Sequence, residues 1–321
     1  MKKILVIGAG GQIGSELVPF LRTIYGGNNV VAADVKMESI NHLSDGPVEQ
    51  IDALDAQRYA ELVKKYQVDG IYNLVALLSA TGEKKPQKAW QINMGALINS
   101  LEIAREYQCS VFTPSSIGAF GPDTPADNTP QDTVMRPSTI YGVCKVSGEL
   151  LSDYYFRRFG VDARGVRLPG IISNSSLPGG GTTDYAVEIY YAAVKNPNKA
   201  FVCPIPEATF MDMMYMPDAL QACTKLMEAN PEKLIHRNAF NVTAMSFNPS
   251  LIFEAIKKRI PEFTICYEID PVMDAISSSW PNSMDDSCAR EEWGWNPVWN
   301  LETMTDDMLK VIGEKFAKGL I

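Results

Sequence analysis

The length, composition and charge of the chain already exclude several classes of protein. The chain has 321 residues, 46% of them hydrophobic, which is enough for a sizeable core in one large or two small units. A formal net charge of −9 argues against a nucleic-acid-binding face, because phosphate binding needs a basic surface. No apolar run approaches the roughly 20 residues that cross a bilayer. The first run, residues 4–7, breaks at glycines too early for a signal peptide.

Cysteines and histidines are too scattered in the sequence to indicate a metal site. There are six cysteines, and the two histidines are His42 and His236. No CxxC pair or Cys/His cluster occurs, so we predict no zinc site. Free thiols in a reducing compartment are the simplest interpretation, which predicts a cytoplasmic location.

Apolar strands alternate with helices over the first half of the chain. The predicted strands are residues 4–7, 30–33, 70–75, 110–113 and 163–168. The predicted helices between them are residues 15–25, 58–66, 90–107 and 141–159. The first strand is apolar throughout, as expected when both faces of a parallel sheet are covered. This alternation predicts an α/β fold with a doubly wound parallel sheet.

The pattern changes after Pro169. A glycine-rich loop precedes predicted helices at residues 184–194, 218–229, 250–259 and 301–315. Residues 196–206 carry three prolines and are predicted as connection, and short strands are predicted at 239–242 and 264–267. We therefore predict a Rossmann domain over residues 1–172, to which part of 212–240 returns. A smaller, interleaved substrate-binding lobe is predicted over 173–321.

A glycine-rich turn lies between the first predicted strand and the first predicted helix. It reads Gly8-Ala-Gly-Gly-Gln-Ile-Gly14. Glycine permits the tight turn and a close backbone approach, and the helix N-terminus offers N–H groups to a pyrophosphate. The strand–turn–helix context predicts a dinucleotide site that includes Gly8, Gly11, Gln12, Ile13 and Gly14.

Asp34 follows Gly14 by 20 residues, at the end of the second predicted strand. A carboxylate there accepts hydrogen bonds from both ribose hydroxyls of NAD and repels the 2′-phosphate of NADP, so we predict NAD as the cofactor. An ordinary helix cap is the alternative role for Asp34. The nearby Lys36 slightly weakens the discrimination between the two cofactors.

Further residues near the ends of predicted strands are candidate cofactor contacts. Residues 51–53 could border the adenine, with Asp52 reaching its exocyclic amino group; a surface turn is the alternative. Small and apolar residues at such positions are equally consistent with plain core. The candidates are Asp52, Ala53, Leu74, Ala76, Leu78, Leu168 and Ile171.

Tyr141 and Lys145 have YxxxK spacing at the start of a predicted helix. Residues four apart share one helical face, so the phenol and the ammonium can meet over one bound ligand. The lysine charge, together with a cationic nicotinamide ring, favours the phenolate that a general base needs. We predict Tyr141 as the catalytic acid/base and Lys145 as its partner.

Two other features complete a possible catalytic constellation. Ser115 and Ser116 lie in a loop after a buried strand, where doubly wound folds bind ligands. A serine hydroxyl there can bond the substrate oxygen whose charge changes during hydride transfer, although an ordinary Ser/Gly turn is the alternative.

Asn93 lies inside a predicted helix, where asparagine is a mediocre helix former. It either orders a water near Lys145, within the cofactor site, or faces solvent.

Together these motifs resemble the extended short-chain dehydrogenase/reductase superfamily, to which UDP-galactose 4-epimerase belongs. Aligning the serine loop on Phe120-Gly121 puts the catalytic serine at Ser116, where relatives can carry threonine. Other segments are similar to the short-chain L-threonine 3-dehydrogenases and run through nearly the whole chain. They are residues 114–122, 179–186, 213–219 and 279–286, with Trp-Gly-Trp at 293–295.

This resemblance implies NAD-dependent oxidation of L-threonine to 2-amino-3-oxobutyrate without zinc. It implies that Tyr141 removes the C3 hydroxyl proton while Ser116 holds the oxygen. It also implies a homodimer paired through the two long helices. The substrate contacts that it suggests are Ser79, Ser116, Tyr141, Gly180, Gly181, Thr182, Thr183 and Trp280, although structural roles for these loops are equally open.

Two rival functions share the predicted fold. A nucleotide-sugar epimerase or dehydratase would use the same cofactor, tyrosine and lysine, but it needs cations for a diphosphate. Basic residues are sparse in the C-terminal lobe, and the acidic net charge argues against that substrate. A non-catalytic NAD-sensing protein would have no need for Tyr141, Lys145 and Ser116 together.

Overall fold

The computed structural model describes residues 1–176 and 181–321. Its strands are β1 Ile4–Ile7, β2 Val30–Asp34, β3 Val48–Gln50, β4 Gly70–Asn73, β5 Ser110–Phe112, β6 Ser115–Ser116, β7 Ala163–Arg164, β8 Val166–Leu168, β9 Gly170–Ile172, β10 Phe201–Cys203, β11 Met211–Tyr215, β12 Phe240–Asn241, β13 Met245–Phe247 and β14 Ile265–Tyr267. Its helices are α1 Gln12–Tyr25, α2 Met37–Ile40, α3 Ala56–Tyr66, α4 Ser79–Lys84, α5 Pro86–Tyr107, α6 Ile140–Phe159, α7 Tyr185–Lys195, α8 Met216–Glu228, α9 Pro249–Lys257, α10 Pro271–Ser277, α11 Ser287–Trp293 and α12 Leu301–Ala317.

The main sheet has six parallel strands in the order β3-β2-β1-β4-β5-β7. All four residues of β1 are buried, because β2 and β4 flank it and helices cover the sheet. The strand order reverses between β1 and β4, and such a switch point opens a crevice at the carboxyl ends of the strands. The predicted doubly wound parallel sheet is confirmed.

The predicted strand over residues 163–168 was wrong as one element, because Gly165 divides it. A Cβ at Gly165 would lie 2.3 Å from the carbonyl oxygen of Thr113, so only glycine permits this approach. β7 stays in the main sheet, whereas β8 pairs with β6 and β12 in a separate parallel sheet. The strand predicted over 70–75 ends early, at Asn73.

The connection predicted over residues 196–206 was also wrong in part, since it contains β10, which pairs with β14. A third sheet joins β11 to β9 in parallel and to β13 in antiparallel orientation. After β11 the chain returns to the first half, where α8 packs on α1. Helices α7, α9 and α12 pack together around a separate apolar core. The domain boundary at residue 172 stays a prediction.

Within the described ranges, no helix is both long enough and apolar enough to span a membrane.

Candidate active site

The glycine turn brings α1 very close to the carboxyl end of β1. Gly8 has a φ of +80°, which favours glycine, and a Cβ at Gly14 would lie 2.4 Å from the carbonyl oxygen of Gly8. Gly11 precedes α1 and has no side chain to cap it, so the first N–H groups of the helix can bind an anion. This turn fits the pyrophosphate of a dinucleotide.

Asp34 lies at the end of β2 and closes over the same turn. One carboxylate oxygen accepts a 3.0 Å hydrogen bond from the N–H of Gly10, and the other accepts a 3.1 Å bond from the N–H of Lys36. The Asp34 carboxylate therefore helps to hold the turn, and the helix-cap alternative is wrong, because Lys36 is the residue before α2 and no side chain caps that helix.

A pocket of about 620 Å³ opens beside Asp34 at the switch point between β1 and β4. Its size and its mixture of a carboxylate with apolar walls suit an adenosine. The predicted cofactor residues that line it are Gly8, Gly11, Asp34, Asp52, Ala53, Leu74 and Ala76. Asp52 also accepts a 2.9 Å hydrogen bond from the N–H of Leu54, so its carboxylate is oriented by its own turn.

A second pocket, of about 150 Å³, shares residues 74–76 with the first and contains the predicted catalytic side chains. A cofactor that spans both pockets would therefore reach Tyr141. The predicted residues lining the second pocket are Gln12, Ile13, Leu74, Ala76, Leu78, Ser79, Ser116, Tyr141, Lys145, Leu168, Ile171, Gly181, Thr182, Thr183 and Trp280.

Tyr141 and Lys145 lie on the first turns of α6. The helix begins after Thr139, whose hydroxyl oxygen accepts a 3.0 Å hydrogen bond from the N–H of Gly142. The Lys145 Nζ lies 5.3 Å from the centroid of the Tyr141 ring and donates a 2.6 Å hydrogen bond to the carbonyl oxygen of Pro114. The ammonium is thus held between the tyrosine and the serine loop.

The two serines of that loop have different partners. The Ser115 hydroxyl donates a hydrogen bond to Glu149, which is buried. The Ser116 oxygen accepts a 3.1 Å hydrogen bond from the N–H of Gly118, which leaves its proton for a ligand. A Cβ at Gly118 would lie 3.1 Å from the Tyr141 ring, so this turn packs against the tyrosine. The geometry favours Ser116 over Ser115 as the substrate contact.

The predicted substrate residues converge from three segments. The hydroxyl oxygens of Ser79, on α4, and Thr182 lie 3.4 Å apart, and both side chains are buried. Trp280, which precedes α11, also lines the pocket. Gly181 is held by a 2.8 Å hydrogen bond from its N–H to Asp184. Gly180 lies outside the described residues.

Residues 4–243 match the sequence model of the NAD dependent epimerase/dehydratase family. The chain belongs to this family. The predicted relation to the extended dehydrogenase superfamily is therefore confirmed, and NAD is the cofactor, as the sequence predicts.

Relatives of this family member are similar along nearly their whole length. An uncharacterized epimerase/dehydratase of Staphylococcus saprophyticus is 54% identical over 316 residues, which covers 98% of each chain. The structure of L-threonine dehydrogenase from Clostridium difficile is 56% identical, covers 98% of each chain and superposes with a TM-score of 0.95. A monomeric L-threonine 3-dehydrogenase from a metagenome is 39% identical, with a TM-score of 0.92, and covers 97% of this chain and 99% of that one.

A buried ion pair behind the predicted catalytic residues was not predicted from the sequence. Arg167 donates a 2.8 Å hydrogen bond from Nη2 to Glu149, and both side chains are almost fully buried. Glu149 follows Lys145 by one helical turn, so the sequence pattern is that of a solvated polar face. No local signal distinguishes such a face from a buried pair.

Asn93 has a structural role that the sequence did not predict. Its side-chain oxygen accepts a 2.7 Å hydrogen bond from the N–H of Leu77, and its amide donates a 3.2 Å bond to the Leu77 carbonyl. The solvated-face alternative is wrong, because α5 is thereby tied to the segment after β4. Asn93 also lines a cavity of about 30 Å³ together with Lys145, so the predicted water between them stays a prediction.

Other lining residues were also missed. Gly10, whose N–H binds Asp34, lies inside the glycine turn but is not one of its spaced glycines at 8, 11 and 14, so its role was missed as well. Polar residues on the first turns of α5 were not predicted as lining residues, because their sequence pattern is that of an ordinary exposed helix face. The remaining missed residues of the two pockets include Lys88, Gln91, Asn73, Thr113, Pro169 and Asp184.

Proposed function

We propose that this protein oxidises L-threonine at C3 with NAD+, giving 2-amino-3-oxobutyrate. The observation that carries the proposal is the small pocket around Tyr141, which has a volume of about 150 Å³. Lys145 is the single basic side chain among its described lining residues, and the polar groups of the lining include the hydroxyls of Ser79, Ser116 and Thr182. A small amino alcohol suits this pocket better than the diphosphate of a nucleotide sugar, which needs cations.

The proposed reaction uses three side chains of the pocket. Bound NAD+ supplies the acceptor for the hydride that leaves C3. Tyr141, as phenolate, accepts the proton of the C3 hydroxyl. The Ser116 hydroxyl donates a hydrogen bond to the same oxygen and holds it as the carbonyl forms. Lys145 lies beside the tyrosine and anchors the serine loop at Pro114. The proposed base and the hydrogen-bond donor Ser116 are therefore held in fixed positions relative to each other.

One assay separates this proposal from its rivals. Purified protein with NAD+ is given L-threonine in one reaction and a panel of UDP- and GDP-sugars in others. We expect NADH to form only in the reaction with L-threonine, and Tyr141→Phe to slow its formation about 10²- to 10⁴-fold. Conversion of a sugar nucleotide without threonine oxidation would replace the proposal with an epimerase or dehydratase. Binding of NAD+ without turnover of any substrate would support a sensor.

We also propose that the protein forms a homodimer through α5 and α6, in the cytoplasm. The two helices pack against each other and still present large apolar side chains to solvent. These are Trp90, Ile98, Val143, Leu150 and Tyr154. Light scattering should give twice the chain mass for the wild type and the chain mass for Leu150→Glu. A wild-type mass of one chain would contradict the dimer.

A further inference from the structure

A mixed set of nitrogen, sulfur and oxygen donors meets at α11, outside the pockets described above. The cluster consists of His236, Cys288 and Glu292, and one potential ligand atom from each lies within 4.8 Å of the other two. Cys288 and Glu292 are four residues apart on α11, so they share one helical face. His236 comes from the segment that enters β12.

Backbone contacts hold this cluster together. One oxygen of Glu292 accepts hydrogen bonds from the N–H groups of Ile235, at 2.5 Å, and His236, at 3.1 Å. Its other oxygen contacts Nδ1 of the His236 ring. The Glu292 carboxylate therefore fixes the histidine beside the helix, and the thiol of Cys288 completes the group.

A carboxylate also lies on the far side of the histidine ring. Nε2 of His236 lies 3.4 Å from a carboxylate oxygen of Asp132. A histidine that binds a metal through one ring nitrogen commonly donates its other N–H to a carboxylate, which fixes the ring and raises its basicity. With Nε2 turned to Asp132, Nδ1 is the nitrogen that would bind the metal, and the ion would take the place of the direct contact between Nδ1 and Glu292.

The charge around the thiol also suits a cation. The negative charges of Glu292, Asp285, Asp132 and Glu291 lie close enough to act on the Cys288 thiol. Such a field attracts a divalent cation, and a bound cation stabilises the thiolate as its ligand.

The sequence predicts no zinc site because His236 and Cys288 are far apart along the chain, but the fold brings them together. We propose that His236, Cys288 and Glu292 form a binding site for a zinc-type divalent cation, with Asp132 as the support of the histidine. Zinc takes nitrogen, sulfur and oxygen ligands at about 2.0–2.3 Å in tetrahedral geometry, which sets the ligand atoms about 3.3–3.7 Å apart. Donors within 4.8 Å reach that spacing through side-chain adjustments of about an ångström. None of the three residues is among the described lining of the catalytic pocket, so the ion would connect α11 to the chain before β12 and take no part in the oxidation.

The test is a titration of the full-length, reduced protein with Co²⁺, whose thiolate complexes absorb in the near ultraviolet. We expect one equivalent to bind, with a sulfur-to-cobalt charge-transfer band, and Zn²⁺ to displace it. Cys288→Ser should lose the band, and His236→Gln should weaken binding at least about tenfold. Asp132→Asn should weaken it about 10- to 100-fold, as loss of such a supporting carboxylate does.

Cys266→Ser is the matched control, because Cys266 is the exposed thiol on β14 and lies outside the cluster. This variant should keep the band and the affinity of the wild type. Zn²⁺ should also raise the thermal unfolding midpoint of the wild type and of Cys266→Ser, but not that of Cys288→Ser. A band that disappears with Cys266 and survives loss of Cys288 would overturn the site. So would binding that fails to saturate at one equivalent.

Discussion

The Lys145 ammonium donates a 2.6 Å hydrogen bond to the carbonyl oxygen of Pro114 while it lies 5.3 Å from the centre of the Tyr141 ring. One cation thus contacts both the loop that carries Ser116 and the proposed base. Replacing Lys145 would remove a charge and release the loop at once, so its effect on rate would not report on proton transfer alone. Substitutions of Tyr141, Ser115 and Ser116 test the individual roles in the reaction more directly than a substitution of Lys145.

Tyr141→Phe removes one oxygen and keeps the ring that packs against Gly118. We expect kcat with L-threonine to fall about 10²- to 10⁴-fold, since that is the usual contribution of a positioned general base. NAD+ binding, measured by calorimetry, should stay within about threefold, because the phenol oxygen makes a small part of a large cofactor interface. If the variant kept more than about a tenth of wild-type turnover, Tyr141 would not be the base.

The two neighbouring serines form a matched pair of variants. Ser116→Ala should lower kcat about 10²- to 10³-fold, as loss of a donor to a reacting oxygen does. Ser115→Ala should change kcat much less, but it deprives the buried Glu149 of a donor and should lower the free energy of unfolding by about 1–3 kcal/mol. Steady-state kinetics and urea unfolding of both variants give the comparison. The reverse pattern would assign the substrate contact to Ser115.

Asp34 should set the preference for NAD+ over NADP+. The wild type is expected to use NAD+ strongly in preference, because the Asp34 carboxylate would repel a 2′-phosphate. Asp34→Ala should reduce the preference for NAD+ over NADP+ by lowering kcat/KM for NAD+ about 10- to 100-fold. This is the change expected from the loss of one or two hydrogen bonds to a charged group. Asp34→Asn controls for the turn, since its side-chain oxygen can still accept from Gly10. Equal wild-type kcat/KM for both cofactors would contradict this role.

Oxidation of threonine should not depend on a metal ion. After dialysis against a strong chelator, we expect the initial rate at 25 °C to stay within about twofold, because hydride and proton transfer are assigned to NAD and side chains. The thermal midpoint should fall, however, if the cluster at α11 had held an ion. Activity that vanished and returned with zinc would place a metal in the reaction itself.

Stability should decline with pH because of Asp212, a fully buried residue of β11. Burial raises the pKa of this carboxyl to about 8, against the hydrogen bonds from the Thr243 hydroxyl and the Met284 N–H that lower it. Between about pH 4 and 8 the folded chain holds a proton that the unfolded chain releases, so the free energy of unfolding falls as pH rises, by up to about 1.4 kcal/mol per unit. Above about pH 8 this contribution is constant.

Asp212→Asn isolates that contribution. The variant keeps an acceptor for the Met284 N–H but has no proton to lose. Its free energy of unfolding should therefore change less with pH between pH 5 and 8 than that of the wild type. Urea denaturation of both proteins at half-unit steps gives the difference curve. A difference that does not change across this window would show that Asp212 keeps the same protonation state in the folded and unfolded chains.

The sequence was sufficient for the parts of the fold and site that follow local patterns. β1, the glycine turn and the start of α6 each combine a clear periodicity with a motif, so Gly8, Asp34, Tyr141 and Lys145 could all be placed. β11 was missed as a strand because Asp212 interrupts its apolar run, and only tertiary partners make that carboxyl tolerable inside. Glu149 and Arg167 were missed for the same reason. Their burial depends on contacts between α6 and β8, which no local window contains.

Gly165, which divides β7 from β8, affects how the proposed catalytic residues are held together. Because the chain changes sheets at Gly165, β8 lies between two other strands. One is β6, which ends at Ser116, and the other is β12, which begins more than seventy residues after β8 ends. Asn241 of β12 accepts a 3.0 Å hydrogen bond from Arg167, whose guanidinium also holds Glu149. The tyrosine and the lysine lie on α6, whereas Ser116 pairs with Leu168 of β8, and β12 flanks β8 on its other side. We therefore expect a fragment that ends near residue 172 to retain the proposed base and Ser116 but to lose β12, the outer strand of the serine's sheet.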